Sequence, residues 1–164
     1  MDNEKKHPTL DYVAAKTAQQ IITRTVGQEV KNHKKVEARD VDTLITKTLG
    51  VLQSQGVYAM ALFLFSRSGK ETEASKMKAE ERIATEVLSW LWPLREPFKV
   101  LQNVQNGQKL ITDRPFNQIN QEKEEMLKTF ADLTANLNTL LLVRDLYEQT
   151  LIYARYGAKA AEGR

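Results

Sequence analysis

The residues able to carry chemistry on their own are few, and their spacing argues against most kinds of site. The chain has two histidines, His7 and His33, and no cysteine. An imidazole can bind a metal or move a proton near neutral pH. Zinc and di-iron centres need several such ligands held together, and no histidine pair stands at helical spacing here. His33 is flanked by lysines, which lower its affinity for any cation. Without cysteine there are no disulfides, thiolate metal sites, Cys nucleophiles or thioether-linked pigments. No Gly-rich phosphate loop occurs, and no Gly-x-Ser-x-Gly turn. The reading is a chain with no catalytic residues, no metal and no cofactor, and therefore not an enzyme.

Carboxylates cluster at Glu122, Glu124 and Glu125, and again at Glu80 and Glu81. General acid/base work needs one carboxyl in a low-dielectric site. These groups stand beside Lys123, Lys128, Lys78 and Arg82, so they read as solvated faces. Trp90 and Trp92 offer a possible binding platform, with the alternative that they are partly buried core residues.

The basic residues are the remaining signal. Lys31, Lys34, Lys35 and Arg39 form one cluster. Arg67, Lys70, Lys76, Lys78 and Arg82 form a second, diluted by acidic neighbours. Arg144, Arg155 and Lys159 fall at a spacing that shares one helix face. Such faces meet phosphates without reading bases, although each cluster alone is equally consistent with an ordinary solvated surface.

The elements that must position these residues are helical. A chain of 164 residues suits one domain, and 7 glycines with 4 prolines are too few for the turns of an all-β fold. Leu10, Val13, Ala14, Thr17, Ile21 and Val26 repeat with helical period, with Thr9 as cap and Gly27 as stop. A basic loop or short exposed helix covers residues 28–39. A second helix runs from Asp40 or Val41 to Gln55, and Gly56 ends it. Val57 to Phe65 is apolar throughout and is read as a central helix, a buried strand being the alternative. A polar linker leads to a helix over 74–92, stopped by Pro93 and Pro97. A short helix covers 98–104, Gly107 and Pro115 frame a loop, and long helices cover 117–133 and about 138–161, the latter capped by Asn136 or Asn138. The expected fold is thus all-α: a compact single-domain bundle of about five to seven helices over 9–161, after a flexible tail at 1–8.

The tail is polar and mixed in charge, unlike a signal peptide. The longest apolar run is far shorter than the roughly 20 residues a membrane span requires, so no membrane partner is expected. The formal charge of +3 permits a polyanionic partner without requiring one.

Two stretches carry a resemblance. Leu44-Ile-Thr-Lys-Thr-Leu-Gly-Val-Leu52 with Gly56-Val-Tyr-Ala-Met-Ala-Leu-Phe-Leu-Phe65 is one. Leu151-Ile-Tyr-Ala-Arg-Tyr-Gly-Ala-Lys-Ala-Ala161 is the other. They resemble the core and closing helices of the small all-helical subunit of type III-B (Cmr-type) CRISPR effector complexes. Departures are Tyr153 in place of Trp, Gly157 in place of Ala, and the long connection from Pro93 to Pro115.

The resemblance implies a non-catalytic subunit of an antiviral-defence ribonucleoprotein, and the lack of cysteine is compatible with a reducing, cytoplasmic home. Copies of it stack as an inner filament beside other subunits and hold the backbones of guide RNA and target RNA. Of the basic residues, the resemblance reaches Arg155 and Lys159; the others are RNA-binding candidates from charge alone. The alternative is a helical adaptor for a protein partner, using an apolar patch around Trp90, Trp92 and Phe98.

Overall fold

The protein is described by a computed structural model that covers residues 8–110 and 116–163. The expected tail at 1–8, apart from Pro8, lies outside these residues, as do His7 and Pro115. Among the described residues the chain forms seven α-helices and one two-stranded hairpin. The helices are α1 (Leu10–Thr25), α2 (Ala38–Gln55), α3 (Val57–Arg67), α4 (Ala79–Leu91), α5 (Pro97–Gln105), α6 (Lys123–Leu133) and α7 (Leu137–Glu162). The antiparallel strands β1 (Glu29–Val30) and β2 (Lys34–Lys35) lie between α1 and α2. The expected all-α bundle is the fold.

Local chemistry explains most boundaries. Thr9 Oγ1 accepts from the Tyr12 amide at 3.2 Å and opens α1, and Asn136 Oδ1 accepts from the Thr139 amide at 3.1 Å and opens α7. The segment Val57 to Phe65 is a helix. Its buried residues, Val57, Met60, Ala61, Leu64 and Phe65, recur with helical period. Gly56, at φ +95°, makes the turn from α2 that no side-chain-bearing residue enters easily.

Two boundaries differ from the sequence reading for tertiary reasons. The helix expected from residue 74 begins at Ala79. Residues Ala74–Lys76 form a 3-10 turn, and Met77 is extended and fully buried. The helix expected from residue 117 is split into a 3-10 turn, Phe116–Gln121, and α6. Here the Asn120 amide donates to the carbonyls of Ser68 and Glu71, at 3.1 and 2.7 Å. Lys123 Nζ donates to the carbonyls of Phe65, at 3.3 Å, and of Gly69. Both side chains therefore serve the end of α3, whose last carbonyls have no partner within the helix.

Central α4 is buried continuously from Ile83 to Leu91. Helix α7, about 39 Å long at 1.5 Å per residue, packs along both α1 and α2. It runs antiparallel to α2: Arg155 lies by Asp42, and Arg144 by Gln53. Gly157 lets α1 approach, since a Cβ there would sit 3.0 Å from Ile22 Cγ1. Trp92 is buried edge-on to Phe130, with centroids 5.5 Å apart at 74°. Each such large side chain contributes about 1.5–3 kcal/mol by burial.

Candidate nucleic-acid interface

The basic stretch 28–39 is built around two valines. Val30 and Val36 are buried, whereas Lys31, Lys34 and Lys35 are exposed. The chain turns back through Asn32 (φ 64°) and His33 (φ 57°), residue types that enter the left-handed region more readily than most. Glu29 pairs with Lys35 and Val30 with Lys34 across the hairpin. Gly27 N donates to Val36 O at 2.8 Å, and Val36 N to Gln28 O at 2.9 Å. The sequence reading of a loop or short helix missed these strands, because two-residue strands leave no periodic trace.

A hairpin this short is not stable alone. It is held by the linker before α4, where Lys31 N donates to Met77 O at 2.8 Å. The docking brings Lys78, of the second basic cluster, beside Lys31, Lys34 and Lys35 of the first. Lys31, Lys34, Lys35 and Lys78 line one open groove of about 640 Å³, with Glu37 and Asp40 also on its walls. A second groove, of about 370 Å³, shares Asp40, Lys78 and Ala79 and extends to Lys47 and Glu80. Lys78 stands at the N-cap of α4 without a side-chain cap, and Glu80 and Glu81 in the first turn face the positive end of that helix dipole.

Among the described residues these four lysines make no ion pair, while Lys76 is bound to Glu73 at 3.2 Å. Unpaired ammonium groups held near one another repel, and a bound polyanion relieves that repulsion. In the sequence Lys78 reads as a member of a diluted cluster beside Glu80 and Glu81. Its alternation with buried Met77 is the trace that marks its exposure.

The other candidates divide. Arg39 is exposed in the first turn of α2. Lys159 is exposed one turn beyond Arg155, whose Nε is 3.7 Å from Asp42 Oδ1 and makes no hydrogen bond. Because α2 and α7 are antiparallel, Arg39 and Lys159 occupy the hairpin end of the bundle. Arg67 is committed to Glu80 at 2.8 Å and lies over the Phe63 ring. Lys70 is exposed on the loop after α3, where its charge, after burial, is the second cause that lowers the Lys123 ammonium below its usual range. Arg144 donates to Gln53 O at 3.0 Å, at the opposite end of the molecule from the hairpin.

His33 Nδ1 lies 2.9 Å from Glu29 Oε1, with the imidazole side chain 95% exposed. Among the described residues no group of three or more His, Asp or Glu is placed to hold a metal. Glu124 and Glu125 are exposed in the first turn of α6, in keeping with a solvated face. Among the described residues the buried carboxylate is Glu86, which sequence reasoning did not single out. It pairs with Arg82 at 3.1 Å and accepts from Trp90 Nε1 at 3.2 Å. Burial raises its pKa and outweighs the opposing pull of Arg82.

A platform or apolar patch built on Trp90 and Trp92 is not present, because both rings are buried in the core. Phe98, 70% exposed, is the one member of that set at the surface. No described helix is long and apolar enough to cross a membrane. No family model, curated protein or solved structure matches the chain.

Proposed function

We propose that this protein is a non-catalytic subunit that binds RNA through the phosphate backbone. The observation that carries the reading is the groove in which Lys31, Lys34, Lys35 and Lys78 gather, none of them in an ion pair among the described residues, with Glu37 and Asp40 sharing the walls. Lysines act as point charges toward phosphate and have no fork to read a base edge, so the binding is sequence-independent. Arg39 and Lys159 extend the positive surface at the same end of the bundle. The resemblance of residues 44–65 and 151–161 to the small subunit of type III-B CRISPR complexes supplies the setting. There the chain stacks with copies of itself and with other subunits along guide and target RNA.

The test is binding of unrelated RNAs by fluorescence anisotropy during a salt titration. Affinity is expected to fall steeply with salt and to be equal among sequences. For single strands, each lost phosphate contact reduces the slope by about 0.7, so Lys34→Glu, Lys35→Glu and Lys78→Glu together lower it by about 2. Salt-independent binding, or an unchanged slope in the triple variant, would sink the reading.

A second reading, a protein adaptor, is favoured by Leu137 and Leu141, exposed one turn apart at the start of α7. It predicts that Leu137→Ser with Leu141→Ser abolishes partner capture while the lysine variant retains it.

A further inference from the structure

We propose a second site, separate from the lysine groove: a pocket between α1 and the segment after α5 that takes one unpaired nucleotide. The groove measures about 400 Å³, within the range of small-molecule sites. Tyr12, Lys16 and Gln20 form one wall, on successive turns of α1. Gln108 and Lys109 form the other, over an apolar floor that includes Val104. Tyr12 is 43% exposed, and the Lys16 ammonium stands over one face of its ring. Lys16 Nζ lies 5.7 Å from the ring centroid. Among the described residues neither Lys16 nor Lys109 has a carboxylate partner. The one acidic neighbour on this turn of α1, Asp11, is engaged by the Tyr153 hydroxyl.

The components match a nucleotide in kind. An aromatic face stacks on a base of any identity. Two side-chain amides present both donors and acceptors to a base edge. Two ammonium groups, one on each wall, suit a phosphate. An acidic peptide would use the ammonium groups and the amides but offers no flat base to stack on the ring. The same chemistry is offered by a free mononucleotide and by an unpaired residue of an RNA strand.

The experiment is binding of AMP, UMP, a short single-stranded RNA and a blunt RNA duplex. Each is measured with the wild-type chain and with Tyr12→Ala, Tyr12→Phe and the Lys16→Ala, Lys109→Ala pair. Circular dichroism confirms folding of each variant.

Single-strand affinity is expected to fall about 5–150-fold in Tyr12→Ala, the range for loss of one stacked base. Tyr12→Phe should bind like the wild type, and duplex affinity should not change in either. The lysine pair should weaken both mononucleotides and the single strand. Binding of mononucleotides assigns the site to free nucleotides as well, whereas binding of the single strand alone assigns it to RNA.

Equal single-strand binding by Tyr12→Ala and wild type would overturn the proposal. So would full competition by poly-glutamate, which would mark the groove as acidic-peptide binding. Because the readout is Tyr12-dependent, its failure is distinct from failure of the hairpin lysines.

Discussion

The backbone amide of Lys31 donates to the carbonyl of Met77 at 2.8 Å, joining the hairpin to the turn before α4. This bond unites two basic segments that lie far apart in the chain, and it explains why α4 starts at Ala79. Lys31→Pro removes the donor and keeps the neighbouring lysines, whereas Lys31→Gln removes only the charge. The proline variant is expected to lose RNA affinity beyond the glutamine variant, with faster amide exchange at Gly27 and Val36. Equal behaviour of the two would mean that docking of the hairpin does not organise the groove.

Lys123 binds the carbonyls of Phe65 and Gly69 from a different helix. Lys123→Met keeps the aliphatic stem and abandons those carbonyls. Hydrogen bonds to charged groups contribute about 1.5–3 kcal/mol, and partial exposure places the loss at the lower end. Urea unfolding should show this decrease, while Lys128→Met, at an exposed position on the same helix, serves as the near-neutral control.

Gly157 lies within α7, five residues before its last residue Glu162, and glycine inside a helix costs about 1 kcal/mol against alanine by helix propensity. The Ile22 side chain fills the space a Cβ would need. Gly157→Ala sets the propensity gain against a few tenths of an ångström of overlap, and stability should change by less than about 1 kcal/mol. Gly157→Val adds bulk with only a small part of that gain and should destabilise by about 1–3 kcal/mol. A valine variant as stable as wild type would show that the α1–α7 contact yields freely.

Burial raises the Glu86 pKa in the folded protein, while in the unfolded chain it titrates near its ordinary 4.5. Folding therefore favours the protonated acid. Its stabilising contribution is complete below 4.5 and is lost as pH rises through the folded value. Glu86→Gln removes this dependence, so the stability of wild type relative to the variant should fall as pH rises from 4 toward 7. Urea titrations of both chains across that range test it. A difference of opposite slope would mean that the Arg82 ion pair at 3.1 Å outweighs desolvation.

Much of this protein is legible in one dimension. Helical periodicity in α1, α2 and α7 arises because each buries one stripe against a common core, and Thr9, Gly27, Gly56 and Asn136 act through bonds and dihedral angles a few residues away. Those are local effects, so sequence carries them. The lysines were visible as charge, and the absence of cysteine is absolute. What the chain could not declare was which charges face one another. Lys31 and Lys78 meet because a valine-anchored hairpin docks on an extended methionine, Arg67 and Arg144 are drawn off by Glu80 and by Gln53, and the tryptophans are turned into the core. Each of these outcomes depends on partners distant in sequence. Contacts between distant segments are set by packing of the whole bundle, and no window of neighbouring residues holds that information.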